Sequence, residues 1–476
     1  MITELEPYPT YRDTGVEWLG KVPSAWEVRR QSNLIELRIS NVDKHHVAGE
    51  RPIRLCNYVD VYRHDRIRAH IPFSSGTARD SEIERFRLRR GDVLITKDSE
   101  SWEDIASPAL VEHEADDLVC GYHLAILRPR PELSGAYLFW ACQSVPVADQ
   151  YQMAANGVTR FGLTQGAVKR VVIPFPPLRE QIAIARFLDH VDLRIQRLIA
   201  THERLIELMN EEKKAIIDHI VAGGLDSGAS FKPSGIDLLG GIPESWSICR
   251  LKRLASRITS GSRGWSTYAA NDGPRFVRIA NLTRGSIGLD WSDTMHLSLP
   301  SDVLEGEGRR TRVMPDDLLL SITAYIGSVA VAPADIGPAY VSQHVALCRL
   351  LPGVNPFWVG YVLLSSIGQN HGRQMMYGGT KQGLSLEDVG NYPILTPPLD
   401  EQGELVAWMD SNLAEIEQLI GRSRSAVSLL CEYRTRLISD VVTGKLDVRE
   451  AVASLSDDPD AVDPALDEQL EEVGAG

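Results

Sequence analysis

Two stretches of the chain carry apolar residues at steps of four and three, and they predict its longest elements. In the first, Ile184, Leu188, Val191, Ile195, Leu198, Leu205, Met209 and Ile216 follow this pattern, with His202 and Glu212 as polar breaks. In the second, Leu405, Met409, Ile416, Leu419, Ala426, Leu430, Tyr433 and Leu437 do the same, broken at Asn412 and Ser423. A 4-3 pattern sustained this far predicts a coiled-coil seam rather than a globular helix. A helix of about 40 residues is on the order of 60 Å long. Alone, each would expose a long apolar stripe, so the two are expected to pack on each other. The expected interface includes Leu188, Val191, Ile195 and Leu198 on the first helix and Met409, Ile416, Leu419 and Leu430 on the second.

The ends of the two runs repeat as well. The first opens PPLREQ at Pro176 and closes IVAGGLD at Asp226; the second opens PPLDEQ at Pro397 and closes VVTGKLD at Asp447. Pro176 pairs with Pro397, Glu180 with Glu401, Gly223 with Gly444 and Asp226 with Asp447, all at one offset of 221 residues. Upstream, YRDTGVEWLGKVPSAWEVRR (11–30) answers FKPSGIDLLGGIPESWSICR (231–250), matching Trp26 to Trp246 at an offset of 220. A period this long is a duplicated half-protein, not a solenoid unit. Two copies related by a pseudo-twofold place the long helices antiparallel.

Between these frames, short β-rich segments alternate with Gly, Pro and Asp turns, which predicts an α+β domain with a mixed or antiparallel sheet in each half. DVLIT (92–96) and HLAIL (123–127) answer DLLLS (317–321) and HVALCR (344–349), so His123 and His344 recur at offset 221. No carboxylate or cysteine constellation accompanies either histidine, and a hydrogen-bonded structural role is the expectation. In ERFRLRR (84–90), strand alternation puts Arg85, Arg87 and Arg89 on one face, an arrangement suited to a phosphate backbone. Four loops add candidate contacts. KDSESWED (97–104) offers Lys97 and Ser101, and NGVTRFGL (156–163) offers Thr159 and Arg160. In the second half, ITSGSRGW (258–265) offers Ser262 and Arg263, SITAYIGS (321–328) offers Tyr325, and YGGTKQGL (377–384) offers Thr380, Lys381 and Gln382. Glycines permit close backbone approach, and Thr, Arg, Lys and Gln donate to phosphates or base edges.

Charge refines this picture. The net charge of the 476 residues is −14, which alone argues against a polyanionic partner. Yet residues 21–175 carry 21 Lys and Arg against 20 Asp and Glu, and residues 240–396 carry 14 against 12. The acidity sits mainly in residues 446–476, with 1 against 10, a tail expected to be disordered. No run of about 18 apolar residues predicts a membrane span, and the N-terminus lacks a basic-then-apolar signal. Six scattered cysteines without a CxxC pair fit a reducing cytoplasm and argue against a zinc site. Gly15 to Lys21 spells GxxxxGK, but Val22 stands where a phosphate loop needs a hydroxyl, so a Trp-anchored turn is expected instead.

Two variable domains, each followed by a PPLxEQ helix that closes on GxLD, resemble the specificity (S) subunit of type I restriction-modification systems. TGVEWLGKVPSAW and SGIDLLGGIPESW also resemble its opening motif, apart from Leu238 in place of a tryptophan. The resemblance runs from about Tyr11 to Asp447. It implies an α+β chain in which two pseudo-twofold-related target-recognition domains are separated by two long antiparallel coiled-coil helices. The expected organisation is an N-terminal segment (1–20), recognition domain 1 (21–175), a central long helix (176–226), a linker (227–239), recognition domain 2 (240–396), a C-terminal long helix (397–447) and a disordered acidic tail (448–476). Each domain would read half of a bipartite, asymmetric site in double-stranded DNA, with the helices setting the spacer. Two methyltransferase (M) subunits and motor-nuclease (R) subunits would be the partners. S-adenosylmethionine, ATP and Mg are expected on those partners, with no cofactor or metal bound directly and no catalytic residue in this chain.

The residues agree with a non-catalytic role. Phe175 and Thr396 precede the Pro-Pro pairs, where a methyltransferase tetrapeptide needs an Asn or Asp. Neither a complete phosphate loop nor a nuclease carboxylate cluster is evident. A methylation-only system, a single-chain methyltransferase and a coiled-coil adaptor without DNA contact are the alternatives. One register device is also predicted: His202 and Ser423, equivalent under the repeat, face each other near the helix midpoints and fix alignment at a cost in packing. Replacing both with leucine should raise the melting temperature and allow register slip, measurable by cysteine crosslinking along the pair; a single unchanged register would refute the device.

Overall fold

In each half of the chain a short strand buried on both faces joins two hydrophobic cores. The computed structural model describes residues 5–226, 228–236, 239–376 and 383–455. These fall into two units, residues 1–203 with 423–476, and residues 204–422. In the first unit, every residue of Val93–Thr96 is buried. Val93 and Ile95 pack with Tyr137, Leu138 and Trp140 of the helix Gly135–Gln143. Leu94 points the other way, into a cluster with Leu55, Val119 and Ile126. Period-two alternation thus serves two cores, and the strand reads as a continuous apolar run.

The sheet around this strand is mixed. Its order is Ile35–Ile39, Leu124–Pro129, Val93–Thr96, Pro108–Val111 and Arg66–Ile67, the last pair parallel and the rest antiparallel. A three-stranded sheet, Leu118–Cys120, Arg51–Cys56 and Ser74–Ala78, covers one face. The second unit repeats the plan. Ala255–Ser260, Val345–Leu350, Leu318–Ser321 and Val329–Val331 form an antiparallel sheet. Leu318 and Leu320 enter one cluster there and Leu319 the other. A buried carboxylate at the head of each central strand takes a two-point grip from an arginine on the neighbouring strand. Arg128 reaches Asp92 at 2.7 and 2.8 Å, and Arg349 reaches Asp317 at 2.6 and 2.8 Å.

The long helices are α1 (Leu178–Gly223) and α2 (Leu399–Val442). In the first unit, Ile184, Leu188, Val191 and Ile195 share one cluster with Leu430, Leu437 and Val441. In the second, Ile217, Ile220 and Val221 share one with Met409, Leu413 and Ile416. Asp192 pairs with Arg434, and Lys213 with Glu417. Numbers that rise along α1 fall along α2, so the helices are antiparallel. Both clusters also take in their unit's domain core, so each helix packs on a domain as well as on its partner.

One expected seam residue is displaced. Leu419 is 41% exposed, whereas Ile420 is 2% exposed. The buried positions after Met409 step through Leu413, Ile416, Ile420 and Ser423. The seam therefore takes a step of four after Ile416, where the sequence reading took three. Leu198 is partly buried against the first core. Ser423 is buried, and the Nδ1 of His202 has no hydrogen-bond partner among the described residues.

The recurring motifs at the helix ends acquire a physical role. Trp26 donates its indole N–H to Glu180 at 2.8 Å, and Trp246 donates to Glu401 at 2.9 Å. Gln181 and Gln402 each turn back to the carbonyl of the first proline of the motif, Pro176 and Pro397, at 2.9 Å. The turn ending the other helix packs on the same tryptophan. Gly444, at φ +73°, lies where an added Cβ would stand 2.4 Å from Pro23 and 3.0 Å from Trp26. On α1 the left-handed residue is Gly224, at φ +72° beside Trp246. Gly223, paired with Gly444 from the sequence, is instead the last helical residue.

Two further expectations are corrected. Arg85, Arg87 and Arg89 do not line a strand. Asp80–Phe86 is a helix that buries Ile83 and Phe86 three apart, so helical spacing overrides the local alternation. Arg85 is exposed in its last turn, Arg87 pairs with Asp116, and the exposed Arg89 gives its amide to Asp92 at 2.9 Å. The stretch after Asp447 does not begin disordered either. Arg449–Ser454 is helical, and Asp447 grips Arg449 at 2.5 to 3.0 Å. Residues 456–476 of the acidic tail lie outside the described residues.

The helix-end packing yields a comparison. Gly15 also has a positive φ, +69°, but nothing within 4 Å of an added Cβ. Gly15→Ala should cost about 1 kcal/mol of backbone strain, and Gly444→Ala about 1–3 kcal/mol more, from the clash with Pro23. Thermal unfolding should rank the melting temperatures wild type, Gly15→Ala, Gly444→Ala; equal losses would show that Trp26 and Pro23 do not fix the turn.

Candidate nucleic-acid interface

In the first unit the rigid strand Val93–Thr96 ends at a cleft. Beyond Lys97, Asp98 and Ser99 pair antiparallel with Phe161–Gly162, Phe161 opposite Ser99 and Gly162 opposite Asp98. This short ladder joins the loops that carry Lys97 and Ser101 to the loop that carries Thr159 and Arg160. Lys97 donates to the Asp98 carboxylate at 2.6 Å, and the Nδ1 of His123 lies 2.7 Å from the same oxygen. Arg160 places Nη2 3.2 Å from the Nε2 of His123. His123 holds a left-handed backbone, φ +74°, uncommon for a residue with a side chain. Burial pushes the Asp98 carboxyl up, but the hydrogen bonds and charges of Lys97 and His123 outweigh this and hold it below its ordinary value.

Aromatic side chains not singled out in the sequence complete this site. Tyr58 and Tyr62 stand four apart on the helix Tyr58–Arg63, their ring centroids 6.1 Å apart. Tyr122 packs 4.1 Å from the His123 ring, and the Lys97 ammonium lies 4.9 Å from the Tyr122 centroid. Tyr62 donates its hydroxyl to Ser99 at 3.1 Å. Tyr58, Tyr62, Tyr122 and Trp102 are all at least 41% exposed. The i, i+4 tyrosines of YVDVYR are the available signal in the sequence, a weak one because Tyr is intermediate between core and surface. The cleft of about 710 Å³ is lined by Tyr58, Tyr62, Asp98, Ser101, His123 and Arg160 among others. It combines flat aromatic faces for stacking with a guanidinium and hydroxyls for hydrogen bonding. Lys97, Ser101, Thr159 and Arg160 come together on these joined loops; Arg85, Arg87 and Arg89 do not line the cleft.

In the second unit the strand Leu318–Ser321 leads to Thr323, which forms a bridge with Gly383. Thr323 Oγ1 lies 2.9 Å from the Nδ1 of His344, matching the Asp98–His123 contact. Both histidines are therefore anchored by the residue two past the central strand, in keeping with the structural role expected of them. Tyr325 is 59% exposed, with the Arg284 guanidinium 3.4 Å from its ring centroid. Ser262 is buried and takes a hydrogen bond from Arg310 at 3.3 Å, so it braces the loop, while Arg263 is exposed. Thr380, Lys381 and Gln382 lie outside the described residues.

Among the described residues no group of three or more His, Cys, Asp or Glu could hold a metal ion. No described helix is long and apolar enough to cross a membrane.

Two α+β domains, each presenting polar and aromatic loops from a doubly buried strand and each leading into a long helix, define a recognition scaffold. Residues 73–208 match the type I restriction modification DNA specificity domain. The type I restriction enzyme MjaVIII specificity subunit of Methanocaldococcus jannaschii is 22% identical over 451 residues, covering 90% of this chain and 95% of that protein. The type I restriction enzyme EcoBI specificity subunit of Escherichia coli is 23% identical over 302 residues, 61% of this chain and 62% of its own length. A structure solved in work on complex assembly and conformational transition of the type I R-M system has the same fold, with a TM-score of 0.59 at 18% identity over 89% of this chain and 99% of that one. Over most of its length this chain is similar to type I restriction-modification specificity subunits.

Asp98 ties Lys97 and His123 to the ladder. Asp98→Asn should speed amide exchange at Ser101 and Gly162 about tenfold, the scale of one lost charge-assisted hydrogen bond. Hydrogen-exchange mass spectrometry should find exchange in Val93–Thr96 unchanged; acceleration there too would mean that Asp98 supports the core rather than the loops.

Proposed function

We propose that the chain is the sequence-specific DNA-binding subunit of a type I restriction-modification complex, reading a bipartite, asymmetric target with its two recognition domains. The observation that carries this reading is that both units present a histidine-anchored loop junction at the end of a doubly buried strand, with different side chains on the two junctions. A common frame with different contact residues suits two unlike half-sites. Tyrosine faces, Arg160 and Lys97 in the first unit, and Tyr325 and Arg263 in the second, suit stacking, phosphate contact and guanine reading. The spacer between half-sites would follow from the length of α1 and α2.

The chain itself performs no chemistry in this reading. Two methyltransferase subunits would supply S-adenosylmethionine-dependent methylation of adenine, and motor-nuclease subunits would bring ATP and Mg, all in the cytoplasm. Adenine methylation mapped by single-molecule sequencing, with and without this chain in the host, is the test. A two-part motif should vanish on deletion. Exchanging residues 240–396 for the corresponding domain of another such subunit should change one half of the motif only. Loss of no motif, or a change in both halves, would overturn the reading.

A further inference from the structure

The second unit contains a cleft of about 370 Å³ whose lining includes Lys213, Lys214, Arg284 and Arg373 and no carboxylate. Lys213 is buried and neutralised by Glu417. Lys214, Arg284 and Arg373 are exposed and have no carboxylate partner among the described residues. Among the described residues Arg373 reaches only the amide oxygen of Asn370, at 3.3 Å, and Arg284 rests on the Tyr325 ring. The loop Tyr325–Ser328 is fixed by Gln369, whose amide donates to the carbonyl of Gly327 at 2.8 Å. Apolar Ile217, Ile326 and Leu364 also line the cleft and lower the local dielectric, which strengthens attraction to an anion.

The corresponding face of the first unit differs. Cys431 and Thr435 on α2 occupy the places of Asn210 and Lys214, 221 residues on. The cleft there is lined by Glu432, Arg436, Asp440 and Lys445, and Asp440 takes Lys445 at 2.9 Å and Arg436 at 3.6 Å. Those cations are neutralised within their own cleft. Three uncompensated cations converging in a chain of net charge −14 call for an anionic ligand of more than one charge.

From this cleft we infer a backbone phosphodiester-binding site for DNA, formed by Lys214, Arg284 and Arg373 and present in the second unit only. It deepens the DNA-reading function proposed above and rests on it. The site contributes affinity without sequence information, because phosphates are the same at every step. Tyr325, stacked under Arg284, links it to the loop that carries candidate base contacts.

The test uses the subunit assembled with its methyltransferase partners and a duplex bearing the methylated motif. Affinity is measured from about 50 to 200 mM salt, where the slope of log K against log salt reports phosphates neutralised, at about 0.9 each. The variant Lys214→Gln/Arg284→Gln/Arg373→Gln should lower the slope by about 2 to 3 and leave the methylated motif unaltered. Arg284→Lys/Arg373→Lys, which keeps the charges, should retain the wild-type slope and controls for folding. An unchanged slope in the glutamine variant, or an altered motif, would overturn the site. Calorimetry with inorganic pyrophosphate on the DNA-free complex separates the sources. Pyrophosphate binding lost in the glutamine variant while the DNA slope stays at wild type would assign the cleft to a free anion and refute the DNA assignment. A wild-type complex with no salt-dependent DNA binding at all would instead sink the function on which the site rests.

Discussion

The hydrogen bond from a buried tryptophan to the glutamate in the first turn of a long helix is the interaction that organises both halves. Trp26 and Glu180 make it in one unit, Trp246 and Glu401 in the other. A carboxylate there also faces the positive end of the helix dipole, so one side chain serves both the indole and the helix terminus. Glu180 takes a second hydrogen bond, from Tyr8 at 3.1 Å, and burial together with the Glu180 charge pushes the Tyr8 phenol up. Because the turn after the opposite helix packs on the same tryptophan, each unit ties the start of one long helix to the end of the other. An apolar seam alone leaves an antiparallel pair free to slide by a heptad. The tryptophan contacts at its ends remove that freedom.

The central strands apply the same logic to the loops. Val93–Thr96 and Leu318–Ser321 are buried on both faces and headed by a carboxylate gripped by arginine. A strand held in this way cannot shift by one residue without moving its whole apolar set to the wrong core. The loops that follow inherit fixed origins, and their histidine anchors carry that order two residues further. Exposed side chains such as Tyr58, Arg160, Tyr325 and Arg263 are not needed by either core and are free to differ between the units.

What was legible in the sequence follows from this division. The tryptophan and glutamate positions stood out because both copies use them for the same contact. The central strands were legible because burial on both faces leaves unbroken apolar runs. The arginines of ERFRLRR misled because alternation over a few residues is common to a strand and to a short helix. Ile83 and Phe86, three apart, held the deciding signal, with Glu82 reaching back to the Arg79 amide at 3.1 Å to start the helix. Leu419 misled because leucine and isoleucine at adjacent positions offer two seams, and only packing selects Ile420. The tyrosines of the first cleft converge from separate segments, and no local pattern reports that.

The duplication also shows where the halves are free to diverge. Positions that close the helix ends or head the central strands are bound by contacts inside their own unit, and both copies keep their chemistry. The outer faces of the long helices carry no such constraint. On α1 the positions near Lys214 face a cleft without acids, whereas on α2 their counterparts face Glu432 and Asp440. A charge difference of this kind leaves the seam untouched, since the side chains concerned lie outside it. The two units can therefore differ in what they attract while sharing how they fold.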